Sequence, residues 1–95
     1  MRPEVRKLLL DMQEAAASIA EFAAGKTADD LAKHKLLRAG IYYEFVVVGE
    51  AMAQLRTLDA PTAERITEYW RIIGFRNQII HAYTKIDDEI TWRII

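Results

Sequence analysis

The stretch "RNQIIHAY", residues 76 to 83, sets an arginine, an asparagine, a histidine and a tyrosine into an otherwise apolar run. Arg76 offers fixed positive charge and a fork of donors suited to an anion such as phosphate, while His81 brings an imidazole, a side chain that can act as acid or base. Metal-free RNA cleavage needs a base for the 2'-hydroxyl, an acid for the leaving 5'-oxygen and positive charge on the phosphorane-like transition state. One chain supplies one copy of each type. An Arg followed five residues later by a His is common by chance, so the spacing alone is a weak signal.

These residues must be positioned by a helix. Taking Arg76 as the origin at about 100° per residue, Tyr69, Ile72, Ile79, Ile80 and Tyr83 all fall within roughly 60° of it. Arg76 therefore sits in the middle of an apolar stripe, where an unpaired guanidinium costs several kcal/mol and needs a carboxylate, an interface or an anionic ligand. The preceding helical pattern carries two candidate carboxylates. Glu44 shares a face with Leu37, Ile41, Val48, Ala51 and Leu55, and Glu50 lies elsewhere among apolar neighbours. Either can form a buried ion pair with Arg76 that fixes helix register; the same arginine can also face a phosphate with its remaining donors. His81 lies about 140° around the helix from Arg76, so one straight helix does not bring the two together. A two-fold axis beside the helix would, because it presents the same patch twice.

The chain of 95 residues, about half of them hydrophobic, fits one domain over 1–95, and a domain this small gains by pairing with a second copy. A formal charge of −1 gives no broad basic field, so any nucleic acid must be held by a local cluster. There are no cysteines, which excludes disulfides and thiolate sites, and only two histidines, without HExxH spacing, so no zinc centre is expected. No cofactor is expected. No run approaches the roughly 20 apolar residues of a membrane span, and a cytoplasmic protein is expected.

Apolar spacing from Val5 to Ala23, with Pro3 at the start and Gly25 at the end, predicts a first long helix. "KTADDLAKHK" is a polar connection in which Thr27 and Asp30 resemble a capping box around a short helical turn. "IYYEFVVVGEAMAQLR" favours a strand on propensity, but its unbroken length and helical face predict a second long helix over Leu36 to Leu58. Pro61 restarts a helix expected to run to about Tyr83, loosened near Gly74, and Asp87 caps a last helix, "DEITWRII". The fold class is all-α, an up-and-down bundle of about four main helices.

At these residues the chain resembles the HepT-like toxins of the HEPN superfamily. "RNQIIHAY" fits their R-x4-H-x-Y motif with the expected polar residue, Asn77, after the arginine; "VVVGEA", "YWRIIGFRN" and "IDDEITWRII" extend the resemblance over nearly the whole chain. The resemblance implies a helical homodimer with a composite site at the two-fold, acting as a metal-independent endoribonuclease toxin of a type VII toxin–antitoxin system. By position, Arg76 and His81 would be catalytic, Asn77 would support them, and Tyr83 would receive AMP from an MntA-like nucleotidyltransferase antitoxin. Seven residues separate Tyr83 from Arg76, two helical turns along one face, so an anionic adduct there would obstruct the site. The chain ends at Ile95, soon after Trp92, where the family usually continues its last helix, so a shortened last helix is expected.

Other residues have plainer readings. His34 is an exposed linker histidine, Lys33, Lys35 and Arg38 form a solvated helix start, and Tyr42, Tyr43, Trp70 and Trp92 are core or interface aromatics. Two alternatives to the ribonuclease remain: a non-catalytic HEPN module that binds nucleotide or docks a nucleotidyltransferase, and a purely structural dimer with a buried Arg76 to Glu44 pair.

Overall fold

In a computed structural model, described here for residues 2–95, Pro3 occupies the first turn of helix α1 (Pro3–Ala23), where its missing N–H and fixed φ cost nothing. The helix ends as expected before Gly25, whose φ of 72° is the left-handed conformation that glycine adopts without strain. A short α2 (Ala28–Lys33) follows, opened by a full capping box. The Thr27 hydroxyl accepts from the Asp30 N–H, and the Asp30 carboxylate accepts from the Thr27 N–H. Those bonds to Thr27 hold the Asp30 carboxyl below the usual range.

The valine-rich segment is helical, as its length and face predicted: α3 runs Lys35–Leu58. Burial on two sides overrides strand propensity here, because α3 packs on α1 along one side and on α5 along another. Val5 and Leu8 of α1 meet Ala51, Met52 and Leu55 of α3 in the main core, joined by Ala63 and Ile73. Each such large side chain contributes about 1.5–3 kcal/mol of burial free energy.

The expected helix from Pro61 to Tyr83 is instead two. Asp59 caps α4 (Ala60–Glu64), accepting from the Thr62 N–H and hydroxyl, and the chain then turns through Arg65–Glu68 before α5 (Tyr69–His81). Glu68 takes a left-handed φ of 56° at the corner. In a straight helix Ala63 and Ile73 would stand about 15 Å apart along the axis; the corner lets both enter one core. No Gly or Pro marks that corner, which is why the apolar pattern reads through it. Gly74, in contrast, interrupts nothing.

At the other end α5 stops at His81. Ala82 leaves helical geometry (φ −142°, ψ 42°), and Tyr83–Lys85 form a single 3-10 turn. Asp87 then caps α6 (Asp88–Ile94) by accepting from the Glu89 N–H, as expected. The architecture is an all-α helical bundle with no strand among the described residues, and none of its helices is long and apolar enough to cross a membrane.

Candidate active site

Arg76 lies where α5 crosses α3, and the crossing is made possible by Gly49. A Cβ placed on Gly49 would overlap the Arg76 Cβ, stand 2.7 Å from its Cγ and 3.3 Å from the Ile72 carbonyl. Any other residue at position 49 would push the helices apart or displace the arginine stem. The sequence reading passed over Gly49; the signal was present as a glycine inside an otherwise bulky helix, where it costs helix stability and needs a packing reason.

Across this seat the Arg76 guanidinium reaches Glu50, not Glu44. Nη1 stands 3.7 Å from the Glu50 Oε1, and the arginine side chain is 18 % exposed against 50 % for Glu50. That distance is an ion pair longer than a hydrogen bond. The Arg76 Nε is buried and has no hydrogen-bond partner. A largely desolvated guanidinium with five N–H donors is thus balanced by one loose, half-exposed carboxylate, which leaves it poised for a second anion. Glu44 instead turns toward α1, where it lines a cleft with Asp11 and Glu14. Its place on the Leu37, Ile41 and Leu55 face is the reason: that face packs on α1, while Gly49 faces α5.

His81 is the last residue of α5 and is exposed, as is Asn77. On the helix Asn77 falls at about 100° and His81 at about 140° from Arg76. The separation anticipated from spacing therefore stands: within one chain Arg76 points into the α3–α5 seam and His81 out to solvent.

Tyr83 departs from its expected place. Because α5 ends before it, Tyr83 does not continue the Arg76 face; it leaves the helix in the 3-10 turn. Its ring meets Tyr42 edge-on with centroids 6.1 Å apart, and half of the residue is exposed over a cleft of about 180 Å³ shared with Arg38, Thr84 and Asp88. Beneath it lies a polar lock absent from the sequence reading. The buried Tyr42 hydroxyl donates to Asp88 Oδ1 at 2.6 Å and shares a 2.9 Å bond with the fully buried Thr91. Burial, and then the hydrogen bond to the Asp88 carboxylate, push the Tyr42 hydroxyl far above the ordinary tyrosine range. Residues 46 and 49 positions apart supply this lock, so no local pattern announces it.

The remaining candidates resolve simply. His34 is exposed, 3.5 Å from Asp30; Lys33 pairs with Asp29 at 3.0 Å; Arg38 donates to the Ala32 carbonyl. Tyr42 belongs to the core as expected, whereas Tyr43 is exposed. Trp70, expected to be packed, is 55 % exposed with the Arg71 guanidinium 5.0 Å above its ring. Among the described residues no three His, Asp or Glu side chains gather where a metal could sit.

Comparison with known proteins bears directly on this arrangement. The family model "Ribonuclease HepT-like" matches residues 12–95, which includes every candidate above. The chain belongs to the HepT-like family. A relative named "Putative RNase MJ1380", from Methanocaldococcus jannaschii, is 27 % identical over 94 residues, covering 97 % of this chain and 84 % of that protein. No solved structure matches the chain. The HepT-like description names a ribonuclease, so RNA is the substrate class that membership implies.

Proposed function

We propose that this HepT-like chain is a metal-independent endoribonuclease toxin of a type VII toxin–antitoxin system, working as a two-fold homodimer in the cytoplasm. The observation that carries this reading is the state of Arg76: desolvated, loosely paired with Glu50, its Nε unpartnered, on the same helix as an exposed His81. A buried guanidinium in that state gains from a phosphate that accepts its spare donors.

The chemistry follows from the residue types. His81 removes the proton from the 2'-hydroxyl; the 2'-oxygen attacks phosphorus; the bond to the 5'-oxygen breaks; and the imidazolium formed in the first step returns that proton to the leaving oxygen. The products are a 2',3'-cyclic phosphate and a 5'-hydroxyl. Arg76 stabilises the charge that builds on the phosphorane oxygens, and Asn77, lying between the two around the helix, supports them with neutral hydrogen bonds. Glu50 keeps the guanidinium oriented. Tyr83 is the residue that an MntA-like nucleotidyltransferase antitoxin modifies with AMP, which adds a bulky anion beside the α5 terminus and silences cleavage.

Because Arg76 and His81 diverge within one chain, each centre takes its arginine from one protomer and its histidine from the other. Mixing Arg76→Ala chains with His81→Ala chains, each inactive alone, then restores RNA cleavage through mixed dimers that hold one intact centre. Two folded, dimeric, inactive parents that stay inactive when exchanged would contradict the composite site. The second reading, a non-catalytic module that binds nucleotide or docks a nucleotidyltransferase, is favoured by the open cleft beside Tyr83 and predicts no cleavage by any mixture.

A further inference from the structure

A groove of about 520 Å³ runs between α5 and α6 and takes no part in the chemistry above. Its volume falls in the range of small-molecule sites. One wall is the outer face of α5, with Trp70, Gly74 and Gln78; the other carries Lys85, Ile90 and Ile94. Trp70, Gly74, Gln78 and His81 lie at i, i+4, i+8 and i+11, so they form one stripe within about 80° of helix surface. The groove therefore leads along α5 to the exposed histidine.

We infer that this groove is a nucleobase subsite for single-stranded RNA, seating a base a few nucleotides from the scissile phosphate, since Trp70 stands about 16 Å along α5 from His81, an inference that rests on the ribonuclease reading. Three features select that occupant. Half of Trp70 is exposed with the Arg71 guanidinium over one face of its ring, which pairs an aromatic platform with a cation stacked on it. Arg71 and Lys85 place positive charge on both rims; Arg71 already leans on Glu68 at 3.2 Å, and Asp87, the carboxylate in the groove, is engaged in capping α6. Gly74, finally, lies mid-helix with open space where a Cβ would stand. Nothing in the packing of this chain requires that glycine, whereas a side chain there would fill the groove floor.

The test uses the full chain, with short 2'-O-methyl oligonucleotides of uridine and of adenosine as probes that bind but cannot cyclise. Gly74→Leu and Trp70→Ala are each expected to weaken binding of at least one probe roughly tenfold. With cleavable RNA, the loss falls mainly on KM. Gly74→Leu is also expected to melt no lower than wild type, because leucine is the better helix former and its Cβ meets no neighbour, which separates a blocked groove from a damaged fold. Wild-type cleavage with unchanged KM and probe affinity in both variants would overturn the subsite alone. Failure of wild type to bind or cut RNA would overturn the subsite together with the ribonuclease reading. A changed oligomeric state in Gly74→Leu by light scattering, at unchanged probe affinity, would make the groove a protein contact and overturn the proposal.

Discussion

Gly49 and Arg76 occupy one point of the α3–α5 crossing: where glycine has only hydrogen, the Cβ and Cγ of Arg76 fill the space a side chain would take. The arginine reaches Glu50 because the two backbones approach this closely. Gly49→Ala must then move helices or stem. Overpacking of this kind costs about 1–3 kcal/mol and carries the guanidinium away from its place, so both stability and cleavage fall. Adding Arg76→Gly removes the clashing atoms; thermal melts should show the double variant regaining stability relative to Gly49→Ala, without regaining activity.

Arg76 itself separates structural from functional need. A desolvated guanidinium held by a single 3.7 Å ion pair adds little to the fold. Arg76→Met keeps the apolar stem and removes the charge, so its stability should equal or exceed that of wild type while RNA cleavage is lost. Glu50, being half exposed, should matter less to stability; Glu50→Gln is expected to shift it by under about 1 kcal/mol. A large fall in denaturation midpoint for Arg76→Met would show the arginine to be a structural tie.

How much of this was legible beforehand follows from what is local. The α-helical class, the capping box at Thr27 and the N-cap at Asp87, and the divergence of His81 from Arg76 depend on residues a few positions apart, and they were readable. The corner at Glu68 was not, because a left-handed glutamate has no sequence mark and the apolar period runs on through it. The end of α5 carries no mark either: the apolar spacing runs on to Tyr83, which would set it on the arginine face, whereas the helix stops at His81 and the tyrosine stands in the 3-10 turn against Tyr42. The choice of Glu50 over Glu44 likewise turned on which face of α3 meets α1, a tertiary fact.

The Tyr42 lock makes a prediction about pH. Its hydroxyl titrates higher in the folded chain than in the unfolded one, so the folded state favours the protonated phenol. The associated stability is fully present below the ordinary tyrosine pKa of about 10 and is lost as pH rises through the higher folded value. Tyr42→Phe should cost about 1–3 kcal/mol at neutral pH, since Thr91 and Asp88 lose their partner, and should flatten the alkaline loss. Melting curves between neutral pH and pH 11 check both limbs. At acid pH the opposite sign holds for Asp30 and Asp59, whose hydrogen bonds to Thr27 and Thr62 lower their pKa values: their contribution is present above the ordinary carboxylate range and disappears as pH falls through the depressed values.

Tyr83 is half exposed and beyond the helix end, so a nucleotidyltransferase can reach its hydroxyl without unfolding α5. Coexpression with an MntA-like enzyme should add one or more AMP masses to a peptide containing Tyr83, and should add none to Tyr83→Phe. That variant should remain toxic in the presence of the antitoxin. Wild-type protein left unmodified by an active partner would remove this mode of regulation.

The central claim is that Arg76 and His81 form a metal-free centre for RNA cleavage. It is tested most directly by incubating wild type, Arg76→Met and His81→Ala with a structured RNA in excess EDTA, and analysing the product ends. Cutting by wild type alone, leaving 2',3'-cyclic phosphates and 5'-hydroxyls, is the predicted result. Cleavage by either variant at the wild-type rate, or no cleavage by folded, dimeric, unmodified wild type, would contradict it.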